Sequence, residues 1–283
     1  MVVGVYLLII IATVTQSAST KMFNRKSTQS SVFNAIKSST ALILFALIAA
    51  FGFKLHWQTM VFGFLYGACM SVSMYAGYKA LCCGPMALSS MLVSFSVVIP
   101  LIWGLTVGNE KLTTLQYPAL VLLLVSIILT NVDKLKKEKQ TNYLRWLTFV
   151  GITFLCNGVC SILQKQHQVF YPNMYSREFM FFAMLLCSVV FSVFALCKVS
   201  VKDFKTVKGK RYGVFSGLAN GTANFLTLIL AGMENASVLY PLISAGTILG
   251  ALLCGALVFK EKLKINHYFA LFIGIVAAIL FKL

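Results

Sequence analysis

Asn220 and Asn224 stand four residues apart, and Tyr240, Ser244 and Thr247 follow at i, i+4 and i+7. Asn157, Ser161 and Gln164 repeat that spacing, as do Thr13, Ser17 and Thr20, and Ser90 with Ser94. Residues at such intervals share one face of a helix. An amide both donates and accepts hydrogen bonds. Stripes of this kind can hold a zwitterion or a hydroxyl-rich solute without a full buried charge. Ser71, Tyr75 and Tyr78 add a sixth polar face. The competing reading is that these groups only tie helices together. For Ser and Thr that reading is preferred, because they also bond their own helix backbone. For Asn157, Gln164, Asn220 and Asn224 a cavity is preferred, because an amide facing lipid is costly. Tyr75, Tyr78 and Tyr240 stand even, since aromatics also collect at membrane interfaces.

All of these stripes lie in apolar runs or at their ends. The 283-residue chain is 59% hydrophobic and 11% charged, with a mean hydropathy of +0.86. A soluble domain carries about 25% charged residues, so the bilayer is the natural solvent. A span needs about 20 apolar residues. Ten runs fit, at 2–20, 38–53, 57–82, 86–107, 116–132, 144–163, 178–197, 212–232, 236–259 and 267–283. The first lacks the basic start of a signal peptide and is expected to be a span.

The net charge of +17 is topological rather than nucleic-acid binding. Connections on the N-terminal side hold five of the 24 basic residues and the opposite connections hold nineteen. Cytoplasmic loops carry such an excess, which places both termini outside. The seven acids all lie at span ends or in loops, so no proton-antiporter carboxylate is expected within the membrane. His56, His167 and His267 fall near span ends and are expected at the interface. The eight cysteines lack the paired spacing of a zinc site and are expected to pack as small apolar groups. No catalytic motif is present. The expectation is no enzyme, no cofactor and no metal.

The chain also repeats itself. Gly63, Gly67 and Ser71 recur as Gly213, Gly217 and Gly221 at an offset of 150, and Ser90 and Ser94 as Tyr240 and Ser244. The stretch from Asn109 returns 151 residues later, with Glu110 over Glu261. Thr13, Ser17 and Thr20 match Asn157, Ser161 and Gln164 at 144. Two copies of five spans enter the membrane from opposite sides, because five is odd. The expected fold is therefore an all-α membrane protein of ten transmembrane helices in a 5+5 inverted-topology repeat, an architecture of secondary transporters. The halves are 1–132 and 144–283, with a basic linker at 133–143. Glu110 and Glu261 are expected to stabilise the start of each half's last helix.

The stretches "CGPMALSS" and "MENASVLYP", followed by "GNEKLTTLQ" and "FKEKLKINH" and a final apolar span, resemble the EamA-like family of the drug/metabolite transporter superfamily. The resemblance implies a central cavity within the first, third, fourth, sixth, eighth and ninth spans. It also implies secondary transport of a small metabolite or drug by alternating access. Many characterised members have both termini in the cytoplasm, the reverse of the charge count here. The expected substrate is small and polar, neutral or zwitterionic, carried across the plasma membrane of a bacterium, with membrane lipids as the other partner. A lipid-linked flippase and a non-transporting scaffold or receptor are the alternatives.

Overall fold

The computed structural model describes residues 2–24, 26–27, 29–83, 89, 92–132, 143–198, 207–260 and 265–282. Among them are helices and no strand. The helices of nine residues or more are α1 (Val2–Asn24), α2 (Ser30–Ala49), α3 (Trp57–Cys83), α4 (Val98–Thr106), α5 (Gln116–Val132), α6 (Tyr143–Phe170), α7 (Ser176–Lys198), α8 (Lys210–Ala231), α9 (Ala236–Leu257) and α10 (Ile265–Lys282). A single 3-10 turn, Phe95–Val97, leads into α4. Helices are what apolar runs must form in lipid, where each backbone polar group has to be satisfied within its own segment. Seven helices (α1, α2, α3, α6, α7, α8 and α9) are long and apolar enough to cross a membrane, and α4, α5 and α10 belong to shorter apolar helices.

Three helices overrun the expected runs by a turn or more, α1 by continuing to Asn24 rather than 20. α2 begins at Ser30 rather than 38, and α6 continues to Phe170 rather than 163. The extra turns of α2 and α6 are polar but packed. Val32, Phe33, Ala35 and Lys37 are buried in α2, and Gln164, His167 and Gln168 in α6. An apolar run marks a membrane crossing, whereas a helix continues as long as its backbone is bonded and one face has a partner. Lys37, read as a loop residue, is instead 7% exposed within α2.

The chain divides into two compact units, Met1–Ser71 with Leu163–Gly232, and Val72–Ile162 with Met233–Leu283. In the first, α2 packs on α7 and α8, and α1 on α8. Small residues make the approach close. A Cβ at Gly63 would lie 2.8 Å from the Phe179 carbonyl oxygen, and one at Gly67 2.6 Å from that of Ala183. One at Gly217 would strike the Lys37 carbonyl oxygen and lie 2.8 Å from Thr40 Cβ. Phe179, Met180, Ala183 and Met184 are fully buried around these contacts.

In the second unit, α5 packs on α10, and α9 on α4, α5 and α10. Ala119, Leu123 and Ile127 of α5 meet Val238 and Ala245 of α9 and Ala277 and Phe281 of α10. The Ser126 hydroxyl donates to the Ala270 carbonyl at 2.8 Å. Trp146, 3% exposed, packs with Ala80 and Val150 and donates to Ser89 Oγ at 2.8 Å.

Candidate functional site

α8 carries Asn220 and Asn224 one turn apart, and the Asn224 amide nitrogen donates back to the Asn220 carbonyl at 2.8 Å and to Asn220 Oδ1 at 3.2 Å. Asn224 Oδ1 accepts the Tyr66 hydroxyl of α3 at 2.8 Å. Gln164 of α6 donates to the Tyr66 oxygen and to the Asn224 carbonyl, both at 3.4 Å. Tyr66, Gln164 and Asn220 are 3%, 3% and 4% exposed. Three helices thus bring one phenol and three amides together within the first unit. The cluster contains no formal charge. It has donors and acceptors in both directions, which suits a polar neutral or zwitterionic group.

Three of these residues are among the expected site residues, and Tyr66 is not. It lies five residues before Ser71, on another side of α3 from the Ser71–Tyr75–Tyr78 stripe. Its only signal was its place between Gly63 and Gly67, the residues at which α3 comes close to α7.

The other expected residues are placed as follows. On α1, Thr13 and Ser17 donate to the backbone of their own helix, to Ile10 at 2.9 Å and Thr13 at 3.0 Å, and Ser17 is exposed. In the second unit, Asn157 Oδ1 accepts the Ser73 hydroxyl at 2.6 Å. The Tyr240 hydroxyl donates to the Ser161 carbonyl at 2.6 Å, tying α9 to α6. Tyr75 and Tyr78 are 36% and 38% exposed, and the Lys79 ammonium lies 5.8 Å from the Tyr75 ring centre. Ser94, Ser244 and Thr247 are half-buried. Ser90 lies outside the described residues, as does Glu261.

Glu110 does not serve the helix expected of it. Its carboxylate accepts the Ala236 amide at 2.7 Å, the Ser237 amide at 2.8 Å and the Ser237 hydroxyl at 2.7 Å. It caps α9, whose own N-cap residue Asn235 makes no side-chain cap. The backbone explains this. Asn109 has a φ of 50°, the Glu110 amide returns to the Gly104 carbonyl at 3.0 Å, and Gly104 leaves room where a Cβ would strike the carboxylate. The attraction of a carboxylate for a helix N-terminus holds, but for a different helix.

His167 also differs from expectation. It is fully buried, with its Nε2 3.2 Å from the Thr59 hydroxyl. Among the described residues, no three His, Cys, Asp or Glu side chains gather as a metal site would require.

No family model matches the chain, and no curated protein compared with it matches. Among solved structures, one described only as "Crystal structure of protein" is similar, with a TM-score of 0.79 and 12% identity over 99% of this chain and 96% of its own. At that identity the likeness speaks for the fold alone; among this chain's described residues that fold is all-helical, with seven helices long and apolar enough to cross a membrane.

Proposed function

We propose that this chain is a secondary transporter that moves a small polar solute, neutral or zwitterionic, across the plasma membrane of a bacterium by alternating access. It would be an EamA-like member of the drug/metabolite transporter superfamily, built as ten spans in a 5+5 inverted repeat with halves at 1–132 and 144–283. The observation that carries this reading is the buried, uncharged cluster of Tyr66, Gln164, Asn220 and Asn224 on three apolar helices. Polar side chains are rare in lipid-embedded helices and mark substrate pathways. Glue alone is the weaker account, because interhelical hydrogen bonds in membranes average about 0.6 kcal/mol. The repeat has support of its own. Its inversion pairs α2 with α7 and α3 with α8. The glycines of α3 meet α7 while those of α8 meet α2, as exchange of the halves requires. Ser39 of α2 and Ser188 of α7 share a hydrogen bond at 2.9 Å.

A thermal-shift screen of the purified protein against polar metabolites, followed by flux in proteoliposomes, tests the reading. Asn220→Ala is the informative variant. Asn224 keeps its bond to the residue 220 carbonyl, so the unliganded melting temperature stays nearly unchanged. Ligand stabilisation, which follows RT ln(1 + [L]/Kd), is lost. Movement of a lipid-linked molecule with no flux of free solute would replace the reading with a flippase. Silence in both assays would leave a scaffold.

A further inference from the structure

Two of the chain's three histidines meet at one end of the first unit. His56 precedes α3, and Thr59 lies in its first turn. The Thr59 amide donates to His56 Nδ1 at 3.4 Å, and the Thr59 hydroxyl is 3.3 Å from the same nitrogen. That hydroxyl is also 3.2 Å from His167 Nε2. Across the His167 ring, Gln168 Nε2 is 3.3 Å from Nδ1. Gln168 is itself oriented, since its Oε1 accepts the Asn173 amide at 2.9 Å and its Nε2 donates to Ser176 Oγ at 3.0 Å.

Polarity follows from these partners. A backbone N–H only donates, so His56 Nδ1 is an acceptor and its ring proton sits on Nε2. An amide nitrogen only donates, so His167 Nδ1 is an acceptor and its ring proton sits on Nε2. His167 then donates to the Thr59 oxygen, and the Thr59 hydroxyl donates to His56. The bonds run one way, from Gln168 through His167 and Thr59 to His56. His167 and Thr59 are fully buried. His56 is half-buried, with the Tyr171 and Tyr175 rings 4.8 and 4.7 Å away.

Helix capping and packing alone would be served as well by an amide. Imidazole is the side chain that gains charge between about pH 5 and 8. Among the described residues, Tyr171 and Tyr175 touch the imidazoles, and Lys54, Lys165, Arg177 and Glu178 are the charged groups on the neighbouring stretches of chain. The Glu178 carboxylate accepts the Lys54 amide at 3.0 Å. Arg177 donates to the Phe51 carbonyl at 3.0 Å and Lys165 to the Ala231 carbonyl at 3.1 Å. Among the described residues no carboxylate bonds either ring. Two imidazolium charges on one hydroxyl repel, so the first proton taken by the pair weakens the binding of a second.

We propose that His56, Thr59 and His167 form one proton-binding site that couples the transport proposed above to protons. The inference rests on that reading. The linkage is through shared helices. Thr59 and Tyr66 are seven apart on α3, and His167 and Gln164 three apart on α6, each pair on one face. A proton taken from water onto His56 Nδ1 turns that acceptor into a donor facing the Thr59 amide. The cap is lost, and positive charge is placed at the positive end of the helix dipole. α3, which carries Tyr66 of the amide cluster, therefore begins differently in the two protonation states.

Histidine-selective NMR of the full chain in nanodiscs gives three imidazole signals, titrated from pH 8.5 to 4.5. The His56 and His167 signals should change together across this range, as one coupled site requires. His167→Gln should shift the His56 midpoint by about half a unit or more, roughly threefold in proton affinity. Thr59→Val should uncouple the two signals, and it carries the test if His167→Gln does not fold. Because coupling is reciprocal, Tyr66→Phe should move the His56 midpoint too. Independent titrations, unchanged in Thr59→Val, would overturn the site. A midpoint indifferent to Tyr66→Phe would overturn the linkage. None of these readouts needs a solute, so failure of the transport reading would be seen separately, as silence in the flux assay.

Discussion

At the scale of the residue, a side chain's partner decides whether it can wait for a ligand. Asn224 is occupied at both ends of its amide. Asn224→Ala removes the acceptor of the Tyr66 hydroxyl and should lower unliganded stability by about 1–3 kcal/mol, the cost of stranding a buried polar group. Denaturation of purified variants beside Asn220→Ala checks this, and equal melting temperatures for the two would show that the Tyr66 bond contributes nothing. Glu110 makes a comparable case. It satisfies two amides and a hydroxyl at the start of α9. Glu110→Ala should cost about 1–2 kcal/mol, the range of lost helix caps. Glu110→Gln, which keeps an acceptor but loses the charge, should cost less.

At the scale of the element, the glycines separate into those that let helices touch and those that do not. Gly217 of α8 lies against the α2 backbone at Lys37, whereas a Cβ on Gly151 of α6 would meet nothing within 4 Å. Gly217→Ala should destabilise by about 1–3 kcal/mol through overpacking. Gly151→Ala should stabilise α6 by about 0.5–1 kcal/mol, because alanine is the better helix former. Parallel melting curves would test the pair, and a Gly217→Ala protein as stable as the parent would show that α8 and α2 are not held at backbone contact. The same lesson applies to helix ends. Hydropathy located the helices well, but α2 and α6 extend through polar turns that packing keeps buried.

For the whole molecule, the division of basic residues, nineteen against five, makes a prediction about orientation. The segments 131–143 and 198–211 should face the cytoplasm, with Leu283 outside. A reporter fused at Leu283 should therefore be active only if it works outside the cell membrane. A cytoplasmic signal there would reverse the assignment.

Much could be read from the chain alone because two of its properties are local. Apolar runs set where helices form, since lipid leaves the backbone no other partner, and helical spacing sets which residues share a face. The amide stripe of α8 and Gln164 of α6 follow from those two rules. Which faces then meet is a property of the packing, and the sequence carries only faint traces of it. Tyr66 joins the amides because α3 lies beside both α6 and α8 in the first unit. Glu110 reaches α9 because Asn109 turns the backbone there. His56 and His167, 111 residues apart, share one hydroxyl only because α3 and α6 bring Thr59 between them. Hydrogen bonds act over about 3 Å, and only tertiary structure sets distances that short between residues so far apart in the chain.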